Sequence, residues 1–172
     1  MKRSNLQLIF LIGFMGSGKS TIGKLMAKQL DYNFIDTDKY IEKKVGKSIS
    51  ELFAEIGEKG FRKIENEVLN ELKNLDDNYV IATGGGMPCQ QTRLIKMLKL
   101  GTVIHLEIDV KSVLKRVSHG KNVRPILAGL SPSEMEQKIR DLMKKRLPYY
   151  EQANHTVSSL HAKKMDFEQL LS

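Results

Sequence analysis

The sequence contains a single cysteine, Cys89, and no apolar run approaching the roughly 20 residues of a membrane-spanning helix. One cysteine excludes an intramolecular disulfide framework and is typical of proteins from a reducing compartment. Internal repeats and low-complexity linkers are also missing. Hydrophobic residues make up 41% of the 172 positions, which excludes an intrinsically disordered chain. We therefore expect one folded domain, residues 1–172, that needs neither disulfide bonds nor a metal to fold.

The N-terminus faintly resembles a secretory signal peptide, because Lys2 and Arg3 precede the apolar segment 8–12. That segment is too short, however, and it continues into glycine-rich sequence without a small-residue cleavage site. We interpret it as a buried strand and expect a cytoplasmic protein.

The net charge of +8 is concentrated in one stretch of the chain. Residues 111–150 contain 10 Lys+Arg and 3 Asp+Glu, whereas residues 1–110 contain 16 and 14, and residues 151–172 contain 2 and 3. A basic stretch could contact nucleic acid, an anionic membrane or a small phosphorylated ligand. A lid that closes on phosphates would have the same composition, so charge alone leaves these alternatives open.

Short apolar segments alternate with segments of helical periodicity along the chain. The apolar segments are residues 7–12, 33–36, 79–83, 102–108 and 156–158. Strands that alternate with helices predict a parallel α/β sheet with right-handed crossovers. Capping boxes at residues 48–51 and 131–134 predict two helix starts, Gly57 is expected to end the first of these helices, and the second is expected to end before Pro148.

Residues 13–20, Gly-Phe-Met-Gly-Ser-Gly-Lys-Ser, match the consensus G-x-x-x-x-G-K-[ST] in full, between an apolar strand and an amphipathic helix. The glycines allow a tight turn whose N–H groups point at a phosphate, and the following helix adds the positive end of its dipole. Lys19 would lie against the β- and γ-phosphates, and Ser20 would offer its hydroxyl to Mg²⁺. The motif therefore predicts nucleotide binding. Its candidate ATP-binding residues are Gly13, Gly16, Ser17, Gly18, Lys19, Ser20 and Thr21.

Two carboxylates, Asp36 and Asp38, follow the second predicted strand. The carboxyl ends of parallel strands form the ligand crevice of such folds. In an extended chain the two side chains would point the same way, about 6–7 Å apart. One could then hold Mg²⁺ while the other contacts an acceptor hydroxyl. A solvated turn with Asp38 as the N-cap of the next helix is an equally good explanation.

Three glycines, Gly84, Gly85 and Gly86, follow the third predicted strand, where many phosphate-loop enzymes have a Walker-B aspartate. Consecutive glycines let a ligand approach the backbone closely, and they cost chain entropy that an ordinary turn avoids. We therefore favour a functional loop over a merely flexible turn.

Three arginines, Arg62, Arg124 and Arg146, are candidates to bind a carboxylate or a phosphate. Each alone is more typical of a solvent-exposed residue. His105 lies inside an apolar strand and is interpreted as a core residue, and Cys89 is interpreted as incidental.

Taken in chain order, the motifs resemble the shikimate kinase family over about residues 6–150. They are the phosphate loop, Asp36-Thr-Asp38, Gly57-x-x-x-Phe61-Arg62-x-x-Glu65, the triple glycine, Arg124-Pro125 and Arg146-x-Pro148-x-Tyr150. The resemblance implies a nucleoside-monophosphate-kinase-like fold, a three-layer α/β/α sandwich with a five-stranded parallel sheet. It also implies substrate-binding helices at about residues 37–65 and a lid at about residues 118–130.

The implied activity is transfer of the γ-phosphate of ATP to the 3-hydroxyl of shikimate, in the biosynthesis of chorismate and aromatic amino acids. Asp38 would contact the acceptor hydroxyl as the base, and Lys19 and Arg124 would complete the catalytic set. The implied substrate-binding residues are Asp38, Arg62, Glu65, Gly84, Gly85, Gly86 and Arg146. The ATP-binding set would also include Arg124 and the adenine-stacking residue, Arg116. The Mg²⁺ ion would be held by Ser20 and Asp36. The resemblance further implies a monomer without nucleic-acid or membrane partners.

Three alternatives stay open at this point. Another small-molecule kinase of the same fold, such as a gluconate kinase, would share the phosphate loop. A guanine-nucleotide switch is disfavoured because the sequence has neither an Asn-Lys-x-Asp motif nor Asp-x-x-Gly after the third strand. A nucleic-acid-binding protein would account for the pI of about 9.5 and would bind with a steep salt dependence.

Overall fold

The structure, a computed structural model, describes residues 7–118 and 125–172. In these two ranges five strands form one sheet, and every pair of neighbouring strands is parallel. The strands are β1 (Leu8–Ile12), β2 (Asn33–Asp36), β3 (Tyr79–Ala82), β4 (Thr102–Glu107) and β5 (His155–Ser158). Their order across the sheet is β2-β3-β1-β4-β5. The predicted α/β fold with a five-stranded parallel sheet is confirmed.

Helices connect and flank the strands. They are α1 (Lys19–Leu30), α2 (Thr37–Val45), α3 (Ile49–Leu72), α4 (Gln91–Leu100), α5 (Val110–Ser118), α6 (Pro132–Tyr150) and α7 (Phe167–Leu171), with short 3₁₀ turns at Pro125–Leu127 and Ala162–Lys164. The capping boxes of α3 and α6 have both of their reciprocal hydrogen bonds. Among the described residues, no helix is both long and apolar enough to cross a membrane.

Both faces of the sheet are covered, so the fold has three layers. All five residues of β1 are buried, as expected for a central parallel strand. Phe10 and Ile12 contribute to the core on one face, together with residues of α3, α4 and α6. Ile9 and Leu11 contribute to the core on the other face, together with residues of α1 and α7. The phosphate loop begins at the carboxyl end of this buried strand.

Gly57 interrupts α3. Its φ of 65° and ψ of 179° are not helical, so α3 consists of two helical segments that meet at a kink. The prediction that Gly57 ends the first segment is confirmed, and the left-handed φ explains the glycine because other residues are strained there. The second segment begins at Glu58 and carries Arg62 one turn later.

One predicted boundary is wrong. We expected a helix end before Pro148, but α6 continues through it to Tyr150. Proline removes one backbone N–H, and here the last turn forms without it. As a result Arg146 and Tyr150, four residues apart, lie on the same face of the helix.

Candidate active site

The loop between β1 and α1 has the backbone expected of a phosphate loop. Gly13, Gly16 and Gly18 have positive φ values of 143°, 77° and 92°. A side chain at Gly13 would also clash with the neighbouring strand, because a Cβ there would lie 2.5 Å from the carbonyl oxygen of Leu106 in β4. Glycine at this position therefore lets the loop pass close to the neighbouring strand.

Lys19 is folded over this loop and is only 9% exposed. Its Nζ donates to the carbonyl oxygens of Gly13 at 2.8 Å and Phe14 at 3.0 Å, and to Oγ of Ser17 at 3.5 Å. These acceptors hold a positive charge at the centre of the loop. A phosphate bound there can take over the same N–H groups.

Ser20 and Asp36, the two predicted Mg²⁺ ligands, contact each other. Oγ of Ser20 donates to Oδ2 of Asp36 at 2.5 Å. A hydroxyl and a carboxylate are oxygen donors of the kind that Mg²⁺ prefers, together with phosphate oxygens and water. Within residues 7–118 and 125–172, no group of three or more His, Cys, Asp or Glu side chains could hold a metal ion. The hydroxyl of Ser20 and the carboxylate of Asp36 thus place two such oxygen donors next to each other.

The extended conformation expected for Asp36 and Asp38 is wrong. Strand β2 ends at Asp36 and helix α2 begins at Thr37. Asp36 itself is the N-cap: its Oδ1 accepts from the backbone N–H groups of Asp38 at 3.1 Å and Lys39 at 3.3 Å. Asp38 thus lies in the first turn of α2 and is not the cap, and the two carboxylates turn to different neighbours.

Charged side chains pack directly against the glycines that follow β3. A Cβ on Gly84 would lie 2.8 Å from Oδ1 of Asp38. A Cβ on Gly85 would lie 3.4 Å from Nη1 of Arg146 and 3.3 Å from the carbonyl oxygen of Gly13. The absence of side chains at these positions brings a carboxylate, a guanidinium and the phosphate loop to one place.

Arg62 lies against the third glycine, since a Cβ on Gly86 would overlap its guanidinium. Nη1 of Arg62 donates to Oε2 of Glu65 at 2.7 Å, and Nη2 donates to Oε1 of Glu58 at 3.0 Å. Glu65 is 1% exposed. Burial raises the pKa of Glu65, and the charge and hydrogen bond of Arg62 offset part of that rise. Burial lowers the pKa of Arg62, but Glu65 and Glu58 together outweigh burial, so the pKa is raised.

Arg146 reaches the site from α6. Its guanidinium carbon lies 5.5 Å from the ring centroid of Phe14 in the phosphate loop, within the range of a cation–π contact. One turn later, the hydroxyl of Tyr150 donates to the carbonyl oxygen of Gly85 at 2.6 Å. The structure therefore brings together Asp38, Arg62, Glu65, Arg146 and the three glycines, which are all of the predicted substrate-binding residues.

Arg116 lies beside the phosphate loop, where its Nη1 donates to the carbonyl oxygen of Gly16 at 2.5 Å. It is thus near the nucleotide end of the site, while its predicted contact with adenine stays a prediction. Arg124, and with it much of the predicted lid, lies outside the described residues.

Sequence reasoning missed three residues that hold the site together. Thr37 accepts from the N–H of Gly84 at 3.0 Å through Oγ1, Glu58 binds Arg62, and the buried Arg93 donates to the carbonyl oxygen of Met87 at 2.6 Å. Glu58 lies four residues before Arg62, a spacing that could have indicated the pair. The contact of Thr37 with Gly84 joins distant segments and leaves no local signal. The contact of Arg93 with Met87 spans only six residues, but it depends on how the loop after β3 folds.

His105 and Cys89 support the site without a chemical role: Sγ of Cys89 donates to the carbonyl oxygen of Gly85 at 3.5 Å. His105 in β4 is 5% exposed and stacks on Tyr150, with ring centroids 5.0 Å apart. Burial, helped by the charge of Lys19, lowers the pKa of His105 to about 4. The prediction of a core histidine is confirmed. Burial raises the pKa of the Cys89 thiol, which is the opposite of what an activated nucleophile needs.

Known proteins resemble this chain over nearly its full length. The shikimate kinase family model matches residues 15–172. The shikimate kinase of Bacteroides fragilis is 43% identical over 147 residues, which are 86% of this chain and 82% of that protein. The shikimate kinase of Chlorobium chlorochromatii is 45% identical over 158 residues, 88% of this chain and 82% of that protein.

Solved structures of shikimate kinases are similar to this chain as well. The crystal structure of shikimate kinase from Bacteroides thetaiotaomicron has a TM-score of 0.89 at 35% identity, covering 97% of this chain and 99% of that one. Shikimate kinase from Acinetobacter baumannii in complex with shikimate has a TM-score of 0.85 at 37% identity, covering 97% and 93%. A gluconokinase from Sinorhizobium meliloti, at 14% identity and a TM-score of 0.57, shares the fold alone.

Proposed function

The chain belongs to the shikimate kinase family and transfers phosphate from ATP to shikimate, and we propose that this transfer takes place between its phosphate loop and the three glycines after β3. The family generally uses Mg-ATP. The observation that carries the assignment is the convergence of Asp38, Arg62 and Arg146 on three consecutive glycines that also touch the phosphate loop.

The guanidinium groups of Arg62 and Arg146 bind the carboxylate of shikimate. They lie against neighbouring glycines, Gly86 and Gly85, so both can reach one ligand placed over the loop. A guanidinium has five N–H groups, so Arg62 can hold Glu65 and still donate to a substrate. Glu65 acts by orienting Arg62. The backbone at Gly84, Gly85 and Gly86 forms the floor of the shikimate site.

Asp38 orients the 3-hydroxyl of shikimate and takes its proton as the phosphate is transferred. The carboxylate lies next to Gly84, two residues before the glycine against which the Arg62 guanidinium packs. Shikimate carries its carboxylate and its hydroxyls at different ends of the ring, so a cationic group at one end and an acidic group at the other match it. Such alignment is what phosphoryl transfer chiefly requires.

The phosphate loop binds ATP through the residues predicted from the motif. Lys19 exchanges the carbonyl oxygens of Gly13 and Phe14 for phosphate oxygens and stabilises charge that develops during transfer. Ser20 and Asp36 would hold Mg²⁺, which when bound neutralises charge on the β- and γ-phosphates. Arg116 contacts the nucleotide base, and Arg124 closes from the lid at about residues 118–130.

We further propose a single-domain monomer of the cytoplasm, without nucleic-acid or membrane partners. The charge distribution supports this view. The basic stretch 111–150 contains Arg116, Arg124 and Arg146, which the proposed site directs at two small anions. These three arginines account for part of the surplus charge without a polyanion, while lysines such as Lys138, Lys144 and Lys145 have no assigned role.

A coupled ADP-release assay tests the proposed function. ADP release should require shikimate, and ³¹P NMR should show one product phosphorylated on the 3-hydroxyl. Gluconate at the same concentration should give no ADP above background. ADP release with gluconate and none with shikimate would overturn the assignment.

A further inference from the structure

A charged side chain that the proposed mechanism does not use is buried behind the glycine loop. Arg93, in the first turn of α4, is 3% exposed. Its Nε donates to the carbonyl oxygen of Met87 at 2.6 Å, and its Nη1 donates to Oε1 of Gln90 at 2.6 Å. Arginine is seldom buried to this extent, and burying a charge is costly even when it is hydrogen-bonded. Leucine or methionine could fill the same volume at lower cost, so the buried charge calls for an explanation.

We propose that Arg93 is a positioning residue for the carboxylate end of the shikimate site: it fixes the loop on which Arg62 packs and sets a second positive charge near Glu65. This inference rests on the assignment of Arg62 and Glu65 to that site. Arg93 acts through these two residues and through the loop backbone, and has no contact of its own with substrate.

Arg93 fixes the loop backbone next to the Arg62 guanidinium. Met87, whose carbonyl oxygen Arg93 holds, directly follows Gly86, the residue that gives the Arg62 guanidinium its space. The N–H of Met87 also donates to the carbonyl oxygen of Gly84 at 3.0 Å. A shift of Met87 would therefore move both ends of the three-glycine turn. Arg93 holds this turn through the carbonyl oxygen of Met87.

Arg93 also acts on Glu65 through its charge. The charged groups that face Glu65 are Arg62 on its own helix, Arg93 from α4 and Asp38 from α2. Burial raises the pKa of Glu65, Arg62 and then Arg93 lower it, and Asp38 raises it. An arginine stays protonated in proteins, so Arg93 favours the ionised form of Glu65 at every working pH. Without Arg93, Glu65 would take up a proton at a higher pH and would lose its ion pair with Arg62.

The test is the pH dependence of shikimate binding in three variants. Arg93→Met removes the charge and keeps much of the volume, Arg93→Lys keeps the charge without the two-pronged donor, and Arg140→Met removes an arginine that is paired with Glu136 on the surface of α6. The KM for shikimate, the KM for ATP and the pH profile of kcat/KM for shikimate are measured for each, with circular dichroism to verify folding.

We expect Arg93→Met to raise the KM for shikimate about tenfold, as for one lost charge-assisted hydrogen bond, and to leave the KM for ATP unchanged. The acid limb of its kcat/KM profile should move to higher pH. Arg93→Lys should raise the KM for shikimate but keep the acid limb in place. Arg140→Met should match the wild type in all three quantities.

Glu65→Gln separates this inference from the proposed site. If Glu65→Gln leaves the KM for shikimate unchanged, the site assignment itself fails. If it raises that KM, Arg93→Met in the Glu65→Gln background should no longer move the acid limb. An unmoved acid limb in Arg93→Met alone, or an equal rise in both KM values, would overturn the role of Arg93. Should Arg93→Met fail to fold, a moved acid limb in Arg93→Lys would overturn it.

Discussion

Arg62 donates to Glu65 across 2.7 Å, and Glu65 is 1% exposed. The guanidinium that we assign to the shikimate carboxylate is therefore held by an anion that water hardly reaches. This arrangement fixes the direction of the Arg62 side chain before substrate arrives, so less side-chain freedom is lost on binding. Pre-organisation of this kind is the main physical feature of the proposed site, and the first prediction tests it.

Arg62→Lys should weaken shikimate binding while preserving the protein. Lysine keeps a positive charge for Glu65 but lacks the planar two-pronged donor. We expect the KM for shikimate to rise about 10- to 100-fold, the effect of losing a hydrogen bond to a charged group, and the KM for ATP to stay unchanged. Steady-state kinetics measure both constants. An unchanged KM for shikimate would mean that the carboxylate binds elsewhere.

Asp38→Asn should slow the chemical step and leave nucleotide binding nearly intact. The amide keeps the shape of the side chain next to Gly84 but cannot accept the proton of the hydroxyl. Loss of a general base typically lowers kcat by about 10²- to 10⁴-fold. The kcat comes from the ADP-release assay, and the Kd for ATP comes from calorimetry. A kcat near that of the wild type would remove Asp38 from the mechanism.

Gly86→Ala should impair shikimate binding through sterics alone. Alanine suits the backbone here, since Gly86 is not among the described glycines with positive φ, but its methyl group would displace the Arg62 guanidinium. The expected result is a raised KM for shikimate with little loss of thermal stability.

Gly46→Ala is the matched control for this variant. Gly46 has a φ of +75°, and no atom lies within 4 Å of where its Cβ would be. Alanine there should cost about 1–2 kcal/mol of stability and leave the KM for shikimate unchanged. A normal KM in Gly86→Ala would show that the Arg62 guanidinium can move aside without consequence.

His105→Phe should change how stability depends on pH. The pKa of His105 is about 4 in the folded protein and about 6.5 when unfolded. The unfolded chain therefore binds more protons between these values, and wild-type stability falls as the pH falls from 6.5 to 4. The slope from this one group is at most about 1.4 kcal/mol per pH unit.

Phenylalanine keeps an aromatic ring against Tyr150 but does not titrate. Urea unfolding of both proteins at pH 7 and at pH 4.5 should show the variant gaining stability relative to the wild type at the lower pH. An equal difference between the two proteins at both pH values would show that folding does not shift the pKa of His105.

The phosphate loop could be predicted from a local consensus, whereas the residues of the shikimate half were predicted only through the resemblance to a family. The boundaries of α1 follow from a local consensus and from helical periodicity, both contained within residues 13–30. The roles of Asp36 and Asp38 were harder to predict, because either carboxylate can cap a helix. Only the folded chain shows that Asp36 does so. The burial of Arg93 depends on Met87 and Gln90, whose positions are set by the whole α/β framework.

The comparison of shikimate with its methyl ester tests the central claim most directly, namely that paired guanidinium groups over the glycine loop bind the substrate carboxylate. We measure kcat/KM for both compounds in the wild type, in Arg146→Ala and in the surface control Arg140→Ala. Esterification should lower kcat/KM about 100-fold in the wild type and in the control, as expected for lost charge-assisted hydrogen bonds, and far less in Arg146→Ala. Equal discrimination between acid and ester in all three proteins would contradict the account.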